Sequence, residues 1–167
     1  MRWIWIDRIE EFRSREYARS VKNVTLAEEH LHDHFPGYPV MPTSLVVEGL
    51  AQTGGLLVGE ATNFSGLVVL AKLARVTFFD YAVPGDQIVY EVWIKELRPE
   101  GAVVEGKARV ADRPLAEAEI VFGRLDEKRA GEVVGNRFAN FRQDMLDMIR
   151  LSGHVSGAGD SSAEAGD

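Results

Sequence analysis

The feature that most constrains the fold of this chain is the segment 43–61, TSLVVEGLAQTGGLLVGEA, which follows a loop rich in proline. Its length corresponds to about five helical turns at 3.6 residues each. Apolar residues surround most of the resulting cylinder, and a helix that is apolar nearly all round is a buried helix. The segment therefore predicts a buried central helix, with Pro42 in its first turn and Thr43 or Ser44 as its cap.

From residue 66 onward the hydrophobic pattern changes to a period of two, which is typical of strands. Short turns such as Pro84-Gly85-Asp86 separate the alternating segments, and this spacing predicts an antiparallel meander. The strands expected there are 67–71, 73–80, 87–97, 102–111 and 115–125. Upstream, residues 16–25 predict a strand and residues 1–12 lead into one. One buried helix beside such a meander is an α+β fold in which the sheet wraps the helix.

The chain after residue 125 is expected to lie outside the main domain, which spans residues 1–125. Residues 126–135 are charged and contain glycine, so they are interpreted as a linker. Within 126–151 an amphipathic C-terminal helix is predicted at 137–151, because apolar residues recur there at intervals of three and four. Residues 152–167 are rich in Gly, Ser, Ala and Asp and are expected to be a disordered tail.

Composition excludes several classes of function. The chain has no cysteine, which rules out disulfides, a thiolate nucleophile and Cys-ligated metal sites. Its net charge of −7 disfavours nucleic acid, since such proteins need a basic surface. The apolar start is too short for a secretory signal, and no segment is long enough to span a bilayer. We therefore expect a cytoplasmic protein with no membrane partner.

A polar stripe runs along the predicted helix, where Ser44, Glu48 and Gln52 are spaced by four. A carboxylate in such an apolar setting is costly unless it is paired, so Glu48 is a functional candidate. On the helix alone, a pairing of Glu48 with an arginine or a position at a wet interface is equally compatible.

The loop 34–42, HFPGYPVMP, holds the second candidate, His34. Its prolines and its glycine restrict the backbone and predict one specified path, with no regular structure expected across 26–42. A rigid loop would hold an imidazole in one place relative to Glu48. Histidine titrates near neutrality and is the usual general acid or base.

The run HFPGYPVMPTSLVVEGLAQ closely resembles the signature of the FabZ-type 3-hydroxyacyl-acyl carrier protein dehydratases, which have the hotdog fold. That signature reads roughly H-F-P-G-x-P-x-M-P-G-x-L-x-x-E-x-x-A-Q. The resemblance extends over residues 3 to about 124, including Trp5-Ile6-Asp7-Arg8 and Val83-Pro84-Gly85-Asp86. The matching positions within the signature are His34, Phe35, Pro36, Gly37, Pro39, Met41, Pro42, Leu45, Glu48, Ala51 and Gln52.

The resemblance implies a homodimeric dehydratase, with a trimer of dimers as the alternative assembly. His34 would remove the C2 proton of a 3-hydroxyacyl thioester, and Glu48 of the partner would help the C3 hydroxyl leave as water. A backbone N–H at the helix start would bind the thioester carbonyl, and no metal or organic cofactor takes part. The substrate is carried by acyl carrier protein or coenzyme A, in fatty acid or polyketide synthesis. The residues expected to bind it are Phe35, Gly37, Pro42, Thr43, Ser44 and Gln52.

One departure from the family pattern falls at the helix start, where Thr43 stands in place of the usual glycine. The backbone N–H is kept, but a Cβ and a hydroxyl are added and would narrow the acyl tunnel. The alternative functions are a hotdog thioesterase and an acyl-binding relative without catalysis.

Other polar and aromatic residues offer weaker candidates. His30, His32 and His34 would share one face of an extended strand and could bind a metal ion, but we expect none because His34 has another role. Lys72 and Arg75 are candidates for contacts to acidic acyl carrier protein. Phe78, Phe79 and Tyr81 are expected mostly in the core, with one ring as a possible gate of the tunnel.

Overall fold

The computed structural model describes residues 4–134, Gln143 and residues 146–149. One antiparallel sheet of six strands curves around one long helix. The elements are β1 (Arg8–Arg13), β2 (Tyr17–Asn23), α1 (His30–Asp33), α2 (Thr43–Ala61), β3 (Leu67–Phe78), β4 (Gln87–Arg98), β5 (Gly101–Val110), β6 (Arg113–Leu125) and α3 (Glu127–Val134). The predicted α+β arrangement is confirmed, and α2 has the predicted limits.

Helix α2 lies in the concave face of the sheet because its apolar surface needs cover on nearly every side. Leu50 and Leu57 are fully buried on it. The inward side chains of β4 alternate with half-buried or exposed ones, and Ile88, Tyr90 and Val92 are all fully buried. Leu50, Ile88, Tyr90 and Val92 belong to a core cluster that joins the helix to the sheet.

Gly49 on α2 shows why the helix contains glycine. A Cβ at position 49 would overlap the Tyr90 ring, so only glycine allows the ring to lie against the helix backbone. Gly54 also packs tightly, because a Cβ added at this position would lie 3.3 Å from a methyl carbon of Val92 and 3.3 Å from one of Val104. The helix propensity lost at these positions, about 1 kcal/mol each, is offset by close packing onto the sheet.

The strand order is β1-β2-β4-β5-β6-β3, so the predicted meander is only partly right. Strands β4, β5 and β6 are consecutive neighbours, but β3 pairs with β6 from Leu67↔Leu125 to Phe78↔Ala116. The two short strands predicted at 67–71 and 73–80 form a single strand with two register shifts. Strands β4 to β6 are recognisable by their own alternation, whereas the pairing of β3 with β6 depends on contacts between segments far apart in sequence.

The two edges of the sheet differ in chemistry. Edge strand β1 is short, has a register shift between Ile9 and Glu11, and carries the charged sequence RIEEFR. Edge strand β3 is twelve residues long and mainly apolar, yet most of it is exposed, including Leu70 and Leu73. Charged side chains and short length protect an edge strand from pairing with another chain, whereas β3 is long and carries few charges.

Two predicted irregular segments are helical instead. The segment 126–135, interpreted as a linker, contains α3, and Ala130 is fully buried. The prediction for 26–42 was wrong at α1, because the prolines begin only at Pro36 and the buried Leu31 anchors the turn before them.

The C-terminal predictions fall largely outside the described residues. Of the helix predicted at 137–151, Gln143 and residues 146–149 are helical and Ile149 is buried against the core, while the other positions lie outside the description. The tail 152–167 lies outside it entirely, and the domain boundaries stay predictions. Of the helices in the described part, none is both long and apolar enough to span a membrane.

Candidate active site

The loop 34–42 is closed on itself by backbone hydrogen bonds. The Phe35 N–H donates to Tyr38 O (3.1 Å) and the Tyr38 N–H donates to Phe35 O (2.9 Å). Gly37, between them, has a φ of 78°, in the left-handed region that favours glycine. The Val40 N–H donates to His34 O at 2.9 Å, which closes the base of the loop. The proline- and glycine-rich sequence therefore gives the loop a closed backbone path, which fixes the position of its first residue, His34.

The His34 imidazole is half-buried, and one of its nitrogens is bound within the loop. His34 Nδ1 lies 2.9 Å from the Val40 carbonyl oxygen. A carbonyl oxygen only accepts, so Nδ1 must carry the proton, and Nε2 is the basic nitrogen of the neutral ring. The Phe35 ring stacks on the imidazole with the ring centroids 4.2 Å apart. His34 thus presents Nε2 as a proton acceptor in a fixed orientation.

The first turn of α2 leaves backbone donors open. Pro42 is the N-cap residue, and the N–H groups of Leu45 and Val46 donate to its carbonyl oxygen at 2.9 and 3.2 Å. Within the described residues no side chain caps this end, so the predicted capping by Thr43 or Ser44 was wrong. Proline supplies no cap side chain, and the N–H groups of Thr43 and Ser44 have no acceptor in the part of the chain that the structure describes, so they are available to an anion or a carbonyl oxygen.

Glu48 is held by a relay of hydrogen bonds that ends at the N-terminal segment. Gln52 Nε2 donates to Glu48 Oε1 at 2.8 Å, and the Trp5 backbone N–H donates to Gln52 Oε1 at 2.8 Å. Because a backbone N–H only donates, it fixes the Gln52 amide with its nitrogen toward Glu48. The polar stripe on α2 is therefore an ordered arrangement, with Glu48 and Gln52 half-buried and Ser44 exposed.

His34 and Glu48 do not meet within the chain. Across the described residues, His34 contacts Val40 and Phe35, and Glu48 contacts Gln52, with no ion pair between the two candidates. Of the residues expected to bind substrate, Pro42 and Thr43 are half-buried beside Ser44 at the helix start. Phe35 and Gly37 lie exposed on the loop.

The three histidines are not arranged as metal ligands. His30 and His32 lie on α1, so their side chains do not share the single face that an extended strand would give. His32 Nε2 lies 2.9 Å from Leu26 O, and His34 is bound to Val40. No group of three or more His, Asp or Glu side chains within the described ranges is placed to hold a metal ion.

His30, the first residue of α1, is half-buried against Trp5. Their ring centroids are 5.1 Å apart in an edge-on arrangement, and Trp5 is 8% exposed. Burial lowers the pKa of His30; the charge of Glu28 opposes that effect, while Lys22 and His34 add to it. His30 thus lies within electrostatic range of His34, which immediately follows α1.

The aromatic residues at the end of β3 were expected mostly in the core, and this was wrong. Phe78, Phe79 and Tyr81 are 46%, 52% and 53% exposed. They lie at or beyond the end of an edge strand, where no further strand of the described chain covers them. Lys72 and Arg75 are exposed on the same strand, as surface residues should be.

Sequence reasoning missed three contributors to this site. The Val40 carbonyl that orients His34 and the Trp5 N–H that binds Gln52 are backbone groups. Every residue type has a backbone carbonyl, and nearly every type has an N–H, so the sequence does not indicate that these two take part. Tyr90 lies against α2 at Gly49, the residue after Glu48, and its buried hydroxyl has no partner within the described residues. Burial raises the pKa of Tyr90. Here a signal existed, since a glycine inside a helix indicates close packing.

Comparison with solved structures defines the class of fold. A hot-dog-like protein from Thermanaerovibrio acidaminovorans matches with a TM-score of 0.61 and 20% identity, covering 76% of this chain and 93% of that one. The sheet wrapped around α2 is therefore the hotdog fold, as the resemblance implied.

The sequence comparisons define the family within that fold. The FabA-like domain model matches residues 3–119. A 3-hydroxyacyl-[acyl-carrier-protein] dehydratase FabZ from Pseudothermotoga lettingae is 40% identical over 127 residues, covering 74% of this chain and 87% of that protein. Another FabZ from Koribacter versatilis is 42% identical over 117 residues, covering 69% and 75%. The chain belongs to the FabA-like family, among relatives of the FabZ type.

Proposed function

We propose that the protein removes water from a 3-hydroxyacyl thioester and forms the trans-2-enoyl thioester, in fatty acid or related lipid synthesis. Its FabZ relatives are named for this activity on acyl carrier protein substrates. The observation that carries the proposal is the hydrogen bond from His34 Nδ1 to Val40 O. It leaves Nε2 as a base held in one direction, which abstraction of a carbon-bound proton requires.

In this reaction His34 Nε2 takes the proton from C2, and the C2–C3 double bond forms as the C3–O bond breaks. The Glu48 carboxyl group donates a proton to the departing hydroxyl, which leaves as water. The proton then on His34 returns to the Glu48 carboxylate, so both residues regain their starting states. The Gln52 amide supports this role because it fixes the Glu48 carboxyl group in one orientation.

The thioester carbonyl is proposed to bind at the start of α2. Negative charge develops on its oxygen as the C2 proton leaves, and the open N–H groups of Thr43 and Ser44 are suited to stabilise it. Phe35, Gly37 and Pro42 would line the approach. The Thr43 Cβ and hydroxyl, absent from the glycine usual in the family, would narrow the space beside the acyl chain.

A homodimer would complete the site. His34 and Glu48 of one chain are not in contact, so each needs a counterpart from elsewhere. Edge strand β3 is long, apolar and exposed, which is the combination that pairs with another chain. We propose that two copies associate through β3, and that His34 of one copy works with Glu48 of its partner. Trimers of such dimers are a further possible assembly.

Lys72 and Arg75 support acyl carrier protein as the carrier. Both are exposed on β3, and no ion pair within the described residues engages them. A net charge of −7 would otherwise repel an acidic carrier, so an unpaired basic pair on the surface favours docking there. We propose that the protein works in the cytoplasm, together with such a carrier.

The test of activity follows enoyl absorbance and free thiol together, on a 3-hydroxyacyl thioester of acyl carrier protein and on one of coenzyme A. Wild type should form the enoyl product without releasing thiol. His34→Ala should lower kcat by about 10²–10⁴-fold, as loss of a general base does. The matched control is His32→Ala, two positions away. Thiol release in place of enoyl formation would make the protein a thioesterase, and binding without turnover would make it an acyl-binding protein.

The composite site is tested by mixing two inactive variants, His34→Ala and Glu48→Gln. If the residues come from opposite chains, half of the sites in a mixed dimer are intact. Random exchange should then restore about a quarter of wild-type activity. Absence of recovery, with subunit exchange demonstrated by mass spectrometry, would contradict a site shared between chains.

A further inference from the structure

We propose that Trp5 is a positioning residue of the active site, and that its backbone N–H orients Glu48 through Gln52. This inference rests on the proposed function, which defines the active site, but the contacts that support it do not involve the substrate. Trp5 lies outside the loop and helix that make up the rest of the site, and it touches elements leading to both candidate catalytic residues.

The first contact is the relay to Glu48. The Gln52 side-chain amide could point either its nitrogen or its oxygen toward Glu48, and only the nitrogen can donate a hydrogen bond to the carboxylate. The Trp5 N–H, 2.8 Å from Gln52 Oε1, selects the face with Nε2 toward Glu48. Loss of that N–H removes the donor that favours this orientation, and the opposite orientation would place the Gln52 oxygen against the carboxylate, which would repel it.

The second contact holds Trp5 itself in place. Its indole is almost completely buried and packs edge-on against the His30 ring at 5.1 Å between centroids. His30 begins α1, whose C-cap residue is His34. The buried indole therefore fixes the backbone at residue 5, and with it the direction of the N–H. The same side chain also packs against the short helix that leads to His34.

The experiment separates the N–H from the indole with two substitutions. Trp5→Ala keeps the N–H and loses the indole, whereas Trp5→Pro loses both, so the ratio of their kcat values reports the N–H. Each is made with Gln52 intact and with Gln52→Leu, which gives a double-mutant cycle. We expect Trp5→Pro to have a kcat about tenfold below Trp5→Ala when Gln52 is present, and a ratio near one when it is Leu.

A purely structural role of residue 5 gives a different result. KM should differ little between Trp5→Ala and Trp5→Pro within each Gln52 background, because the N–H does not touch substrate, and urea unfolding shows whether stability follows kcat. An equal Trp5→Pro to Trp5→Ala ratio in both Gln52 backgrounds would overturn the proposal, as would no difference between the two variants. If Trp5→Pro does not fold, an ester in place of the Ile4–Trp5 amide removes the same N–H and keeps the indole.

A second readout does not depend on turnover. The side-chain amide resonances of Gln52 in a ¹⁵N spectrum should shift between Trp5→Ala and Trp5→Pro, and unchanged resonances would overturn the proposal. A wild type that forms no enoyl product would defeat the proposed function alone. The resonances of Gln52 would still decide whether Trp5 holds the amide.

Discussion

At the C-terminal end of α2 the last four carbonyl groups all receive donors, whereas at the N-terminal end two N–H groups have no acceptor among the described residues. Arg15 Nη1 donates to Ala61 O at 2.9 Å, and the Asn63 N–H donates to Glu60 O at 2.8 Å. The Thr62 hydroxyl and the Phe64 N–H supply Val58 O and Gly59 O. The C-terminal end of the helix is therefore fixed by hydrogen bonds to its carbonyl groups. At the N-terminal end, N–H groups remain available where the thioester is proposed to bind.

The largest expected effect comes from a charge change in the N-terminal half. Glu48→Gln keeps the size of the side chain and leaves Gln52 an acceptor, so the fold should persist. We expect kcat to fall by about 10²–10⁴-fold on a 3-hydroxyacyl thioester. The matched control is Glu60→Gln near the other end, where the carboxylate accepts a hydrogen bond from the Ser14 hydroxyl at 2.8 Å. Equal losses from both variants would remove the distinction between the two ends.

A smaller effect, on stability, is expected from Gly49→Ala. The new Cβ would overlap the fully buried Tyr90 ring, so the free energy of unfolding should fall by about 1–3 kcal/mol. Gly55→Ala is the control, because its Cβ would lie 3.9 Å from the nearest Phe122 atom. That variant should gain up to about 1 kcal/mol from helix propensity. Urea titration measures both, and a loss of similar size in both would contradict the packing argument.

At the C-terminal end, Arg15→Ala should be milder still. It removes a cation and a donor from the helix terminus at an exposed position, which is worth about 0.3–1 kcal/mol. Stability measured in urea should fall by that amount while kcat stays unchanged. A drop in kcat comparable to that of Glu48→Gln would mean that the two ends are not functionally separate.

The smallest effect concerns pH and His30, beside the N-terminal half. Burial lowers the pKa of His30 below its ordinary 6.5, so the unfolded chain binds a proton more readily than the folded one. The stability associated with neutral His30 is therefore present above about pH 6.5 and is lost as pH falls below it. His30→Gln should flatten this part of a stability–pH curve. An unchanged slope would assign the pH dependence to other groups.

Much of this architecture could be predicted from local patterns. The limits of α2 follow from a hydrophobic run bounded by Pro42, and strands β4 to β6 follow from alternation and turns. The pairing of β3 with β6 and the helical turn at His30 could not, because they depend on contacts between distant segments. Glu48 was a candidate from the polar stripe and His34 from the rigid loop, and the family signature gave both a role, but Trp5 and Val40 act through backbone atoms that no side-chain pattern records.

The placement of β3 also bears on the order in which the molecule assembles. The hairpins β4–β5 and β5–β6 join neighbouring segments, whereas β3 must close a loop of nearly forty residues, from Phe78 to Ala116, to reach β6. Because loop closure costs entropy before contacts compensate it, we expect β3 to join the sheet late. The strand proposed to receive the second chain would then be completed last, and subunits would meet only after the rest of each sheet had formed.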